Sequence, residues 1–126
     1  MPEPPVPLYH RPMLTVTQRM NGDTVLLDLA GVIDGGDSCR RIHELMNAGL
    51  EDGHRNFVLN LGGVDWINSL GVGFLAAASV SAVREKAIVR LVALTPRVDT
   101  LLRSCGVVPH VWKVFPDEQE ALASFG

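Results

Sequence analysis

Alternating apolar and polar residues near the start of the chain predict a pair of antiparallel strands. Residues 14–20 alternate in hydrophobicity, which is the period of a strand with one buried face. Residues 25–30 are richer in apolar side chains, as expected for a more central strand. Asn21 and Gly22 lie between the two segments, and this pair favours the positive φ angles of a tight turn. The pattern therefore predicts a β-hairpin.

A helix with one apolar face is predicted to follow the hairpin. The glycine-rich residues 31–36 predict an irregular turn that ends the second strand, and Asp37 or Ser38 can cap the helix after it. Asp52 and Gly53 predict the end of this helix. The apolar residues between these signals recur at the spacing of one buried face: Cys39, Ile42, Leu45, Met46 and Leu50.

The next three segments alternate between strand and helix. Residues 57–61 show little alternation, which is typical of a central, parallel strand buried on both faces, and a glycine pair and a loop are predicted after it. Small and apolar residues from Ser69 to about Lys86 predict a long helix, and residues 88–94 predict a fourth strand.

Capping signals define the last two helices. Thr95 is a predicted cap with Pro96 at the first helical position, and Gly106 is the expected stop. After a short edge strand over residues 111–115, Asp117 and Glu120 form a capping-box pattern. The side chains expected to face the core from these helices are Val98, Leu101, Leu102, Cys105, Leu122 and Phe125.

The order β-β-α-β-α-β-α-β-α defines the predicted fold class as α/β. Alternation after the hairpin implies a single domain with a mixed, mostly parallel sheet of about five strands and four helices. Residues 1–12 contain five prolines and are expected to form an extended or disordered arm, because proline lacks an amide donor. The domain itself is assigned to residues 13–126.

Composition narrows the class of protein. The net charge is −3 and no basic tract is present, which disfavours nucleic-acid binding. No apolar run approaches the roughly 20 residues of a membrane span, and no signal-peptide core is seen, so a cytoplasmic protein is expected. Cys39 and Cys105 lack a C-x-x-C spacing and are predicted to be reduced thiols on buried helix faces.

Motifs for catalysis, cofactors or metals are missing from the sequence. No P-loop is present, and Gly71-Val72-Gly73 lacks the third glycine of a dinucleotide fingerprint. No Gly-x-Ser-x-Gly elbow surrounds Ser69. The histidines have no metal-ligand spacing with each other or with the cysteines: His10, His43, His54 and His110. We therefore expect neither an enzyme nor a bound cofactor or metal.

Residues 61–74 are the main candidate for a functional site. Asn68 and Ser69 lie where a helix N-cap belongs, because their side-chain oxygens can accept from the first free helical amides. A hydroxyl at this position is accessible, and the helix dipole favours a negative charge added to it. Ser69 can therefore be a plain cap or a site of covalent modification. Asp34 can satisfy amides of its turn or face a partner, and Trp66 can fill the core or anchor a partner.

Four stretches of the chain resemble STAS domains, in particular the bacterial anti-sigma factor antagonists. The resemblance extends from about residue 24 to residue 125 and implies a single-domain STAS-like fold. The residues that carry it are 29–34, 57–61 with 64–67, 68–73, and 95–98 followed by 101–102 and 105–107.

The resemblance implies a switch protein. In the family, the serine at the position of Ser69 is phosphorylated by a partner that is both anti-sigma factor and serine kinase. The unphosphorylated antagonist binds that partner and frees the sigma factor, whereas the phosphorylated form lets go until a serine phosphatase resets it. The partner-binding residues implied here are Asp34, Asp65, Trp66, Asn68, Ser69, Leu70, Gly71, Val72 and Gly73.

Two positions depart from the family pattern. Asn68 stands where the family has Asp, and Leu70 stands at its second hydroxyl position. Asn can still cap a helix but carries no charge, and the loss of the second hydroxyl leaves Ser69 as the single acceptor there. The alternative function is therefore a non-phosphorylated STAS scaffold, or a subunit of a lipid-transport complex, acting only by protein–protein binding. A monomer or weak dimer is expected.

Overall fold

The computed structural model describes residues 13–108 and 112–125, and the order of its elements confirms the prediction. A 3-10 turn, Asp37–Cys39, precedes the first helix. The elements are β1 (Thr15–Asn21), β2 (Thr24–Ile33), α1 (Arg40–Glu51), β3 (Asn56–Ile67), α2 (Ser69–Arg84), β4 (Ile88–Val92), α3 (Pro96–Ser104), β5 (Lys113–Phe115) and α4 (Glu118–Ala123). The predicted arm over residues 1–12, two of the histidines (His10 and His110) and Val111 of the predicted edge strand lie outside the described residues.

The five strands form one mixed sheet in the order β1-β2-β3-β4-β5, which confirms the predicted fold class. β1 and β2 pair antiparallel, and each later neighbour pair is parallel. Each parallel crossover contains one helix, as the alternating pattern requires. The carboxyl ends of β2 through β5 consequently lie at the same edge of the sheet.

The sheet separates two hydrophobic cores. The main core joins one face of the sheet to α1, α2 and α3 through buried side chains such as Ile42, Leu75 and Leu102. Alternate residues of the strands point to the other face, where α4 covers a smaller core. The buried residues of this second core are Leu26, Val58, Val92 and Ala121. The sheet is therefore covered on both faces, which explains the weak alternation in β2 and β3.

The hairpin is present, but its turn lies one residue later than predicted. Asn21 pairs with Thr24 as the last residue of β1, so the loop is Gly22-Asp23. Gly22 has a φ of 57°, whereas Asn21 is not among the residues with positive φ. The expected positive φ at Asn21 is therefore wrong, because pairing with Thr24 holds this residue in the strand.

The start of α1 also differs from the prediction. Neither Asp37 nor Ser38 caps the helix through its side chain, because the 3-10 turn leads directly into it. The Ser38 hydroxyl instead accepts a hydrogen bond from the Leu14 amide at 3.4 Å. The predicted apolar face is otherwise correct, with Cys39 buried in the 3-10 turn and Leu45 half-buried.

β3 is much longer than its predicted five residues, because it continues through the glycine pair to Ile67. Two register shifts in the pairing with β2 accommodate this extension, and β2 likewise runs through Gly31 to Ile33, where a turn was expected. A Cβ at Gly63 would lie 2.9 Å from the Ala30 Cβ. The glycine pair therefore permits two strands to approach closely and does not end β3.

The capping signals of α3 and α4 are confirmed. The Thr95 hydroxyl accepts from the Val98 amide at 3.4 Å, and the Asp117 carboxylate accepts from the Glu120 amide at 2.9 Å. Gly106 has a φ of 76°, as its stop position requires. The prediction of a buried Cys105 is wrong, because α3 ends at Ser104 and Cys105 is exposed. Cys39 is buried as predicted, and both cysteines are free thiols.

Candidate functional site

The start of α2 is attached to the ends of two neighbouring parallel strands. Ile33 and Ile67 are register partners at the carboxyl ends of β2 and β3. The next residue, Asn68, donates its backbone N–H to the Ile33 carbonyl at 3.3 Å. Chain continuity and this hydrogen bond together place the first turn of α2 at the carboxyl edge of the sheet.

Asn68, and not Ser69, caps α2. Asn68 has an extended backbone, and its side-chain Oδ1 accepts from the Gly71 amide at 2.8 Å. Its carbonyl accepts from the Val72 amide at 2.9 Å, which is the first hydrogen bond of the helix. Ser69 is the first helical residue and is exposed. Because Asn68 fulfils the capping role, the hydroxyl of Ser69 is not required for it.

Gly71 allows α2 to pack directly against β2. A Cβ at this position would lie only 2.0 Å from the carbonyl oxygen of Ile33. Gly71 and its neighbour Val72 are both buried. Among the residues that the sequence associated with partner binding, these two therefore lie beneath the surface and fix the position of Ser69.

The β2–α1 loop lies beside the first turn of α2. Gly35 has a φ of 85°, and a Cβ added there would lie 2.7 Å from Cγ of Leu70. The preceding residue, Asp34, is exposed, and its Oδ1 accepts from the Gly36 amide at 2.8 Å. Asp34 thus satisfies a turn amide while its carboxylate stays at the surface, so the structure is compatible with both of its predicted roles.

Exposed side chains surround Ser69 on this edge. Leu70 is 69% exposed, and Gly73 has open space where a Cβ would be. Asp65 is exposed on β3, and Trp66 beside it is half-buried. Polar, apolar and aromatic groups that the sequence associated with binding are consequently present at one edge of the sheet.

Arg97 is a site residue that sequence reasoning missed. Its guanidinium lies over the Trp66 ring, 5.9 Å from the ring centroid, which is within the range of a cation–π contact. The signal was its position in the first turn of α3, directly after the capping pair Thr95-Pro96. Because α3 follows β4, its first turn also lies at the carboxyl edge, where it brings a positive charge to the site.

The outer face of α2 is exposed and uncharged. From Ser69 to Val83 the helix contains no acidic or basic residue, although helices at protein surfaces usually carry charges on their outer face. This face begins one residue after Ser69. Its exposed members are Leu70, Gly73, Ala77, Val80, Ser81 and Val83. An exposed apolar surface of this kind is typical of a protein-binding site.

No group of three or more His, Cys, Asp or Glu side chains in residues 13–108 and 112–125 is arranged to hold a metal ion. Within the same ranges, no helix combines the length and the hydrophobicity that crossing a bilayer requires.

The fold and the site define a small α/β domain that presents an exposed serine at a helix N-terminus. Residues 13–121 match the family model of the STAS domain. The match covers most of the chain, so the chain belongs to the STAS domain family, as the sequence motifs indicated. No curated protein sequence is a match.

Solved structures of this family have the same fold. An anti-sigma factor antagonist from Mycobacterium paratuberculosis is 19% identical with a TM-score of 0.73, over 88% of this chain and 92% of the other. The phosphorylated form of the Bacillus cell fate determinant SpoIIAA is 17% identical with a TM-score of 0.68, over 89% and 100%. A STAS-domain protein from Planctomyces limnophilus, described as an anti-sigma-factor antagonist, is 14% identical with a TM-score of 0.70, over 86% and 96%. At these identities the likeness concerns the fold.

Proposed function

We propose that the chain is a cytoplasmic anti-sigma factor antagonist that binds an anti-sigma factor with serine kinase activity. Phosphorylation of Ser69 by that partner releases the complex, and a serine phosphatase restores binding. The observation that carries the proposal is the position of Ser69: it is exposed, and Asn68 has taken over the capping role. Membership of the STAS family and the likeness in fold to known antagonists support it further.

The binding surface is assigned to the exposed groups around Ser69. Asp34 and Asp65 supply acidic side chains, and Leu70 supplies an apolar contact at the first turn of α2. From Leu70 the uncharged outer face of α2 continues away from the site, so a partner seated on Ser69 can also cover apolar area. Ser69 then lies inside the contact area and not at its margin.

A phosphate at Ser69 has opposite effects on the fold and on the complex. It adds about −1.5 to −2 charges at neutral pH. At a helix N-terminus a negative charge is favourable by about 0.3–1 kcal/mol, so the domain stays folded. Inside an interface the same group costs several kcal/mol if it is buried without a partner. A loss of about 3 kcal/mol weakens binding roughly a hundredfold, which is enough to release the complex.

The direct test is to incubate the chain with ATP and the cognate anti-sigma kinase. We expect one phosphate on the wild type, located at Ser69 by peptide mass spectrometry, and none on Ser69→Ala. Ser69→Asp should weaken binding by about a hundredfold while the melting temperature changes little. Ser104→Asp is the matched control, because Ser104 is exposed at the last residue of α3, outside the assigned binding surface. Normal binding by Ser69→Asp would contradict phosphate control.

The second candidate is a STAS module that binds its partner without phosphorylation, either a signalling scaffold or a subunit of a lipid-transport complex. The observation that favours it is the uncharged first turn, with Asn68 at the family's acidic position and Leu70 at its second hydroxyl position. In that case the complex persists in ATP, and Ser69→Ala and Ser69→Asp bind like the wild type. The same assay therefore separates the two candidates.

A further inference from the structure

α4 is separated from the other three helices by the sheet. It lies on the face opposite to α1, α2 and α3, where it covers the second core. Ala121 is its one fully buried residue, and Leu122 and Phe125 are half-buried against the same core. None of the side chains assigned to the main core belongs to α4 or to the residues after it. The main core can therefore stay packed whether or not α4 is docked.

Two arginines of the sheet hold the ends of α4. Glu118, the first residue of α4, forms an ion pair with Arg19 of β1. Asp28 of β2 orients the same guanidinium by accepting two hydrogen bonds from it. The distance from Arg19 Nε to Asp28 Oδ2 is 2.6 Å, and that from Arg19 Nη2 to Asp28 Oδ1 is 2.9 Å. The hydrogen bonds that Arg19 donates to the carboxylates of Asp28 and, second, Glu118 raise the pKa of Arg19 above its usual value. The ion pair is solvent-exposed and therefore weak.

Arg90 of β4 holds the other end. Its Nε donates to the Ser124 hydroxyl at 3.1 Å. Its guanidinium also lies 5.9 Å from the ring centroid of Phe115 and 5.6 Å from that of Phe125. Polar and cation–π contacts thus add to the apolar packing of α4, and both kinds weaken when the helix moves away from the sheet.

The first turn of α4 borders an open groove of about 390 Å³. The groove is lined by Val92 and Ala93 at the end of β4, by the cap residue Asp117, and by Glu118 and Gln119 of α4. A helix of six residues is also too short to persist alone, since isolated helices below about 12–15 residues are marginal in water. When α4 leaves the sheet, it is therefore expected to unfold.

We propose that α4 is a lid that undocks from the sheet while the rest of the domain stays folded. Opening breaks the contacts of Arg19 and Arg90 with the helix and uncovers the apolar strip Leu26, Val58 and Val92. This strip lies on the face of the sheet opposite to α2. Opening of the lid therefore exposes a second surface of the domain, and this opening does not depend on whether Ser69 is phosphorylated.

Hydrogen exchange of the full chain measures the opening directly. The α4 amides of Ala121, Ser124 and Phe125 donate to carbonyls within the helix and its last turn, and should exchange at least about a hundredfold faster than the amide of Leu59 in β3. Their rates should depend less steeply on urea than the rate of Leu59, because local opening exposes less surface than global unfolding. Equal rates and an equal urea dependence for the two groups would refute the lid, because α4 would then open only with global unfolding.

Two pairs of variants locate the cause of the opening. Arg19→Gln should speed exchange of the α4 amides by roughly two- to fivefold, the effect of losing one exposed ion pair. Arg103→Gln, which removes the exposed Arg103–Asp99 pair of α3, should leave the α4 amides unchanged. If the two variants affect α4 alike, Arg19 does not hold the lid.

Ala121→Asp places a charge in the second core and should hold the lid open. We expect increased fluorescence of a hydrophobic dye and loss of protection in α4, with the Leu59 amide still protected. Ala123→Asp is the control, because Ala123 is exposed on the same helix. Loss of protection throughout the sheet in Ala121→Asp, or no rise in dye binding, would overturn the proposal.

Discussion

Replacing Gly71 by Ala tests whether close contact between α2 and β2 positions Ser69. The added Cβ would lie 2.0 Å from the Ile33 carbonyl oxygen, a backbone atom that cannot rotate away. The first turn of α2 must then shift by about 1 Å, and overpacking of this kind costs about 3 kcal/mol. Alanine is favoured over glycine inside a helix by about 1 kcal/mol, which offsets part of this cost. We expect a net loss of about 2 kcal/mol of unfolding free energy.

Gly73→Ala is the matched control on the same helix. Gly73 is exposed and has no atom within 4 Å of a Cβ, so only the gain in helix propensity should remain. We expect the free energy of unfolding to rise by about 1 kcal/mol. The two substitutions change the same atoms two residues apart, so their difference of about 3 kcal/mol isolates the steric contact.

Urea denaturation followed by circular dichroism measures both variants, with the midpoint multiplied by the slope giving the free energy of unfolding. The phosphorylation rate of Ser69 by the cognate kinase provides a second readout, which should fall in Gly71→Ala. If Gly71→Ala is as stable as Gly73→Ala, the contact with Ile33 does not restrain α2 and the reasoning fails.

Two further predictions concern polar contacts of α2. Asn68→Ala should lower the unfolding free energy by about 1 kcal/mol through loss of the cap to Gly71, whereas Asn68→Asp keeps a capping oxygen and should equal the wild type in thermal unfolding. Trp112→Phe removes the 2.7 Å hydrogen bond from the buried indole to the Ser79 hydroxyl and should cost about 1–3 kcal/mol in urea denaturation. If Asn68→Ala or Trp112→Phe has the same unfolding free energy as the wild type, the hydrogen bond that the variant removes does not contribute to stability.

Most elements whose signals are local were predicted correctly from the sequence, although the positive φ at Asn21 and a side-chain cap at Asp37 or Ser38 were not found. The caps at Thr95 and Asp117 bond to amides three residues away, and Gly106 needs only its own φ angle. Features that depend on distant residues were missed. The extension of β3 through Gly62 and Gly63 depends on pairing with β2, about thirty residues earlier in the chain. Periodicity alone cannot show that a neighbouring strand continues.

The same distinction explains what was predicted of the site. A helix start at residues 68–69 follows from residue types. Two contacts follow only from the order of strands in the sheet. These are the contact of Gly71 with Ile33 and the position of Arg97 over Trp66. The sequence also left open whether Asn68 or Ser69 caps α2, because both side chains can accept from helical amides.

The assignment of the cap to Asn68 bears on how the first turn of α2 responds to added charge. A carboxylate at position 68 would place a full negative charge next to Ser69 and would partly neutralise the positive end of the helix dipole. The neutral amide of Asn68 makes the hydrogen bond to Gly71 without adding charge. Repulsion of a phosphate on Ser69 is therefore smaller, and its interaction with the dipole remains complete. If Ser69 is phosphorylated as proposed, the first turn of α2 therefore accommodates the phosphate better with Asn68 than it would with a carboxylate at the same position.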